Sequence, residues 1–418
     1  MAASRRTWCD EGRTHFEYIV VGCGGIGSAA VYWLAKRAKA DVLGIEQFEL
    51  GHHNGGSQDH SRIIRLTYHD DRYTKIARET FQTWHEVEKE SGVQLVYKSG
   101  GLNMSRRGEA DLIMENYAKA MDDQNIKYER LDSEALMKKF PQFEVDKDVI
   151  SLYQPDAGLV DAALANSVHL QLARGYGASI LANAPVIRVL RNDTGQISVQ
   201  TTKGTFTCRR LVVAAGAWIN QVLGSVGVHI PVTVTQEQVT YMGTPYIKEF
   251  TKDKFPMFLY HAKEHDYYQI PIHGNSCSKI GVDAGGPPVT GNTRNFVVDP
   301  VREKLCVDLM QSLAPKFVGP IMYTKTCLYT MTPDRHFVID KCDKEGWSDV
   351  IFCCGAGHAF KFACLLGKIM SEMAIDGETQ YDIAGFTRYR EAITDPNYPN
   401  DFQWGKQIAE QAAARAKL

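Results

Sequence analysis

No C-x-x-C pair and no doublet with zinc-ligand spacing occurs among the ten cysteines, Cys9, Cys23, Cys208, Cys277, Cys306, Cys327, Cys342, Cys353, Cys354 and Cys364. They are scattered through a chain long enough to fold without staples, so they are expected to be reduced thiols of an intracellular protein. An excess of one charge is also missing. Lys plus Arg is 47 and Asp plus Glu is 49, a formal charge of −2, which excludes a generally basic nucleic-acid binder. There is no collagen period, low-complexity tract, acidic tail or internal repeat. The first fifteen residues are polar, lack the apolar run of a secretory signal and are expected to form a flexible terminus. The uncharged run 18–35 could be mistaken for a membrane span, but it contains Gly22, Gly24, Gly25 and Gly27, and Glu46 follows closely. A buried strand–turn–helix fits it better, and neither a membrane nor a nucleic acid is expected as partner.

What the chain does have is apolar content. Hydrophobic residues make up 44% and charged residues 23% of 418, enough for sizeable cores but too long for one, so two domains are expected. Tyr18-Ile19-Val20-Val21 reads as a buried parallel strand, residues 26–39 as a helix with Ala29, Ala30, Trp33 and Leu34 on its apolar face, and Val42–Ile45 as a second strand. Together they form a β-α-β unit. Two later apolar runs end the same way: 211–215 runs into Gly216, and 350–354 into Gly355-Ala356-Gly357 and a helix-like stretch to Met373. Three strand-to-glycine points far apart in sequence predict one nucleotide-binding domain built from distant segments. The blocks between them differ: 107–145 is charged and helix-like, whereas 228–285 alternates as strands do, which predicts a second domain with a mixed sheet.

Gly22-Cys23-Gly24-Gly25-Ile26-Gly27 is a G-x-G-x-x-G turn between strand and helix. Glycines there permit a tight turn, approach of a pyrophosphate to the backbone and close strand–helix contact, while the helix N-terminus offers free N–H groups. Glu46, nineteen residues beyond Gly27 at the end of the next strand, is placed to accept from ribose hydroxyls. The turn alone does not separate FAD from NAD. Completion of the domain by a late glycine-rich element favours a flavin.

Ser61-Arg62-Ile63-Ile64-Arg65, Thr326-Cys327-Leu328-Tyr329-Thr330 with Pro333-Asp334, and Gly357-His358-Ala359-Phe360-Lys361 follow the fingerprint in that order. With it they resemble the monomeric sarcosine oxidase family of FAD amine oxidases, which includes sarcosine/pipecolate oxidases, N-methyltryptophan oxidase and fructosyl amino acid oxidases. The resemblance spans about 17–390. It implies an α/β fold with a Rossmann-like FAD-binding domain of the glutathione reductase/D-amino acid oxidase type, made of 16–95, 150–228 and 325–390. A second α+β substrate domain would comprise 96–149 and 229–324, and 405–418 would be a tail.

The resemblance also implies roles. FAD would be held by Gly22, Gly24, Gly25, Ile26, Gly27, Glu46, Gln47, Ser61, Arg62, Val186, Gly216, Gly355, Gly357, His358, Ala359, Phe360 and Lys361. Cys327 would form an 8α-S-cysteinyl thioether to the flavin, although a lone thiol is more commonly a small buried apolar group. Arg65 and Lys361 match the family's pair for the substrate carboxylate, a bidentate fork plus a point charge. Lys279 matches the lysine held through water near flavin N5, where a fixed positive charge favours electron transfer to O2. Tyr268 and Tyr329 match aromatics of the substrate cavity, with core packing as the plain alternative, and His358 is assigned a flavin contact rather than a base.

Two departures stand out. Asp283 occupies the position four after Lys279 where histidine is frequent, and Ser57-Gln58-Asp59-His60 replaces a histidine-glycine stretch. A carboxylate at Asp283 is expected to favour a cationic or hydrogen-bond-donating substrate group, with a satisfied strand-end residue as the equal alternative. The implied reaction is oxidation of a secondary α-amino acid, sarcosine-like or pipecolate-like, to an imine with O2 reduced to H2O2. The alternatives are a fructosyl amino acid oxidase and a flavin dehydrogenase using an electron carrier. Ala416-Lys417-Leu418 is a variant of the S-K-L address, so recognition by the peroxisomal import receptor is expected. No metal and a monomeric state are expected.

Overall fold

The computed structural model describes residues 12–68, 70–400 and 402. Two large sheets organise it. The first has eight strands around His15–Val21, which lies parallel between Val42–Ile45 and Gly204–Val213. Ser179–Leu181 extends it in parallel on one side, and Trp347–Cys354 pairs in parallel with Leu211–Val213 on the other. Val338–Cys342 closes that edge antiparallel, and the hairpin Val186–Arg191/Ile197–Thr201 pairs with the opening half of Gly204–Val213. Ile19, Val20, Val212 and Ile351 are buried, because long helices cover one face and Ile219, Val222, Leu223 and Val226 pack on the other.

The helices Gly25–Ala38 and Ala363–Ile375 pack together on one face. Their approach depends on a small residue: a Cβ on Gly367 would lie 2.5 Å from that of Ala29. The C-terminal glycine-rich element is thereby set against the N-terminal one, in agreement with an α/β domain assembled from distant segments. His15, assigned to a flexible terminus, is instead the first residue of the central strand and pairs with Thr207.

The second sheet has nine strands and is mixed: Met257–His261 runs parallel to Gly101–Arg106 and antiparallel to Asp266–Ile270. Thr233–Met242 pairs along its length with Ile321–Met331, and Ser278–Asp283 lies on its other side. The boundary expected at 325 falls inside Ile321–Met331, so Cys327 is carried by the second sheet. A small sheet of Arg62–Ile64, Gly158–Val160 and Val96–Tyr97 fixes the segment bearing the two arginines. Among the described residues no helix is long and apolar enough to cross a membrane. Residues 405–418, with Ala416-Lys417-Leu418, lie outside the described residues.

Candidate active site

The strand ends and the loops that follow them enclose a cavity of about 740 Å³. Every residue assigned to catalysis or cofactor binding lines it except Gly27 and Ser61. Gly27 serves the strand–helix contact, since a Cβ there would stand 1.7 Å from the carbonyl oxygen of Gly22. Ser61 contributes its backbone: its carbonyl accepts from Lys279 Nζ and, at 2.9 Å, from Arg62 Nη1.

One end of the cavity suits a dinucleotide. Gly22 has φ +92°, and a Cβ on it would meet the Ala214 carbonyl at 2.5 Å. No other residue takes that turn without strain. A Cβ on Gly25 would strike the Phe360 ring at 2.9 Å, so the turn and the late Gly357–Lys361 element constrain each other. The helix N-terminus is capped locally only by Ser57, whose Oγ accepts from the Gly25 N–H at 2.8 Å, leaving room for phosphate oxygens. Glu46 is buried at the end of the second strand and accepts from the Cys23 and Phe48 N–H groups at 2.9 and 3.1 Å. Burial would raise its pKa, but the hydrogen bonds from His52, Cys23 and Phe48 hold it below the ordinary value. It is thus an ionised acceptor for hydroxyl groups.

A charged cluster occupies the wall formed by Ser278–Asp283. Lys279 is 2% exposed, and its Nζ donates to Asp59 Oδ2 at 2.9 Å as well as to Ser61. Arg62 Nη1 reaches the same carboxylate oxygen at 3.1 Å, and the Tyr241 hydroxyl donates to Oδ1. Asp59 is 5% exposed. Burial would raise its pKa, but Lys279 and Arg62 hold it well below the carboxylate range. Burial lowers Lys279 to about 8 against the pull of Asp59, and Arg62 adds to the fall. Asp59 carries a role that the sequence reading did not assign. Its signal was a carboxylate three residues before Arg62 in a glycine-rich loop, and only the fold reveals its partner 220 residues away. Cys327, opposite Glu237 in the sheet, lines the cavity beside this cluster. Burial pushes its thiol up to about 11, with Arg62 opposing.

At the other end Arg65, 3% exposed, donates from Nη1 to Asn103 Oδ1 at 3.1 Å. Its guanidinium lies 4.7 Å over the Tyr68 ring and 5.3 Å over Tyr117. Lys361 sits in the turn Ala359–Phe362 ahead of the last long helix, anchored by a Trp84 Nε1 bond to its carbonyl at 2.8 Å. Its Nζ donates to the Tyr68 hydroxyl at 3.1 Å and the His358 carbonyl at 2.8 Å. Among the described residues neither cation forms an ion pair with a carboxylate. Burial, and then Arg65, push Lys361 well below the ordinary lysine value. An anion between the two cations would relieve both costs.

His358 fixes this corner through its tautomer. Nε2 lies 2.8 Å from the Arg335 carbonyl and must donate to it, so Nδ1 accepts from the Tyr68 hydroxyl at 3.1 Å. Burial drives its pKa well below the usual histidine value, with Lys361 and Arg335 adding to the effect, and the ring is neutral. Tyr268 and Tyr329 pack over glycines: Cβ atoms on Gly281 and Gly357 would lie 2.9 and 2.8 Å from their rings.

Asp283 does not present an unpaired charge. Arg335, 1% exposed, holds its two oxygens at 3.0 and 3.3 Å. Of the two readings of Asp283, the pairing favours the satisfied strand-end residue, because the guanidinium balances its charge. Arg335 was missed because nothing in Pro333-Asp334-Arg335 announces a partner 52 residues earlier.

Comparison with known proteins agrees with this geometry. The family model described as FAD dependent oxidoreductase (DAO) matches residues 17–373. Monomeric sarcosine oxidase of Bacillus sp. (strain NS-129) is 30% identical over 384 residues, 91% of this chain and 98% of that protein. N-methyl-L-tryptophan oxidase of Escherichia coli O81 (strain ED1a) is 27% identical over 378 residues, 89% and 98% of the two chains. The open form of NikD, an unusual amino acid oxidase essential for nikkomycin biosynthesis, shares the fold with a TM-score of 0.80 at 23% identity, covering 90% of this chain and 97% of that one. A glycine turn suited to a dinucleotide and completed by a late element packed against it is accounted for by one statement: this chain belongs to the DAO family of FAD dependent oxidoreductases.

Proposed function

We propose that the protein oxidises the C–N bond of a secondary α-amino acid of the sarcosine, N-methyl amino acid or pipecolate type, with O2 as acceptor and H2O2 as product. The observation that carries this reading is the pair of buried cations Arg65 and Lys361, joined through Tyr68 and, among the described residues, in no ion pair with a carboxylate. A substrate carboxylate placed there would receive the guanidinium fork and an ammonium, in the same cavity that Cys327 and Lys279 line.

FAD, when bound, would supply the two-electron acceptor for oxidation at the carbon next to nitrogen. The chain's contribution is placement and charge. Neutral His358 and Tyr68 aim Lys361; Arg65 is fixed by Asn103; Tyr268 and Tyr329 bound the space for the side chain and N-substituent. An amine loses its proton more readily beside two cations, so no dedicated base is needed. The neutral Asp283–Arg335 wall favours an uncharged side chain. Cys327 suits a thioether to the cofactor by its place in the cavity wall, where burial raises its thiol to about 11 and Arg62 offsets part of that rise.

The test is a screen of sarcosine, larger N-methyl amino acids, L-pipecolate and fructosyl amino acids, measuring peroxide formed against oxygen consumed. Peroxide from a secondary amino acid, one per oxygen, is expected. Turnover only with an artificial electron acceptor would instead identify a dehydrogenase. Acid precipitation of the yellow protein is expected to leave colour in the pellet for wild type and to release it for Cys327→Ala; release from wild type would remove the covalent link.

A further inference from the structure

We propose that Asp59 is a positioning residue for the oxygen half of the reaction, holding Lys279 in place and charged against the cofactor cavity. The proposal rests on the reading of the protein as an oxidase. In that half-reaction two electrons and two protons pass from reduced FAD to O2, restoring oxidised FAD and giving H2O2. Negative charge builds first on oxygen, and a fixed cation beside it lowers the barrier.

Lys279 alone is poorly suited to remain that cation. It is nearly inaccessible to water and shares its wall with a second cation, Arg62. Groups of its own sheet that face it are the cross-strand neighbour Tyr241, Tyr268 on the adjoining strand, and Cys327, with Lys325 lying 5.7 Å over the Tyr241 ring. None of these is an anion at neutral pH, and burial raises the pKa of both tyrosines and of the thiol. From the loop packed against the sheet come Asp59, His60 and Arg62. Asp59 is therefore the anion that compensates the ammonium, and it does so in a fixed geometry: one oxygen bridges Lys279 at 2.9 Å and Arg62 at 3.1 Å, while Tyr241 and the His60 N–H occupy the other. Two cations and one carboxylate leave a single positive charge at the site. The Ser61 carbonyl then locks the second Lys279 donor, so the ammonium has a defined direction rather than a flexible stem.

The sign of the pH effect follows. Asp59 favours the protonated lysine, so its removal lets Lys279 lose its proton at lower pH. The alkaline fall in oxygen reactivity should then move to lower pH.

The experiment photoreduces the holoenzyme and mixes it with O2 across pH, which needs no amino acid substrate. Asp59→Asn is expected to slow reoxidation about tenfold at pH 8 and to move the alkaline limb about one unit lower. Asp59→Glu should stay within about threefold of wild type. Lys279→Met should abolish the limb. Thermal unfolding of the same holoproteins supplies a readout independent of turnover: Asp59→Asn should lower the midpoint by leaving two uncompensated buried cations, and adding Lys279→Met should recover part of the loss.

Wild-type reoxidation that is fast, with Asp59→Asn unchanged in rate and pH profile, would overturn the proposal and leave the oxidase reading intact. Faster reoxidation in Asp59→Asn at every pH would show that Asp59 quenches Lys279, also overturning it. A reduced wild type indifferent to O2 would remove the oxidase reading and the proposal together.

Discussion

The two ends of the cavity are built by opposite means. At the dinucleotide end the chain uses backbone: Gly22, Gly24 and Gly25, one helix N-terminus and Glu46 come from a single stretch of 25 residues, and side chains matter mainly by being absent. At the reacting end it uses polar and charged side chains drawn from separate segments: Asp59, Arg62 and Arg65 from one loop and strand, Lys279 and Asp283 from a second, Cys327 from a third and Lys361 from a fourth, with Arg335 paired to Asp283. Backbone geometry is local and tolerates little variation in residue type. Buried charges must be compensated wherever the fold brings them together, so their partners can change in pairs while the site keeps its net charge.

This contrast is sharpest where each end is broken. Gly27→Ala should have the largest effect, because its Cβ would stand 1.7 Å from the Gly22 carbonyl oxygen and backbone must move. The expected outcome is colourless, poorly soluble protein, read by the flavin spectrum of the purified material; a yellow variant with wild-type melting would show that the turn is more pliable than its geometry implies.

Asp283→Asn comes next. It leaves Arg335, 1% exposed, without its carboxylate, and removing one partner of a buried pair costs about 3–5 kcal/mol. Denaturant unfolding measures the loss, and a change below about 1 kcal/mol would mean that the pair is solvated in practice. Replacing both partners by apolar residues of similar volume should be far milder than Asp283→Asn alone.

The smallest expected effect is confined to ligand binding. Arg65→Ala should weaken binding of an amine-free carboxylate such as cyclopentanecarboxylate by about a hundredfold, the value of a charge-assisted bidentate contact, with folding preserved since Tyr68 and Tyr117 remain packed. Spectral titration of the bound flavin reads the dissociation constant, and an unchanged value would take Arg65 out of the carboxylate site.

The same contrast explains what could be read in the sequence. The strand 18–21, the glycine turn and Glu46 are a local pattern with one physical meaning, and Gly355–Lys361 repeats it at the far end of the chain. The arginines and lysines of the reacting end were legible only as members of motifs; their residue types alone fit surface salt bridges as well. Their partners were not legible. Asp59 and Lys279 are joined across 220 residues, and Asp283 and Arg335 across 52, by strand register and loop packing that no short-range periodicity encodes. Asp283 shows why a carboxylate alone leaves two readings open, a substrate determinant or a satisfied strand-end residue: the guanidinium that decides between them sits on another strand connection. The boundary expected at 325 has the same origin, because Ile321–Met331 is apolar enough for either sheet and only its pairing with Thr233–Met242 decides.

The proposed function places a substrate carboxylate between Arg65 and Lys361, beside the bound flavin. Anaerobic titration of the bound flavin with paired compounds tests it most directly: sarcosine against dimethylamine, and L-pipecolate against piperidine. Bleaching by at least one amino acid of a pair, with no bleaching by the amine that lacks its carboxylate, is the predicted result, and Arg65→Ala should erase the distinction. Equal bleaching by amine and amino acid, or none with any secondary amino acid, would contradict it.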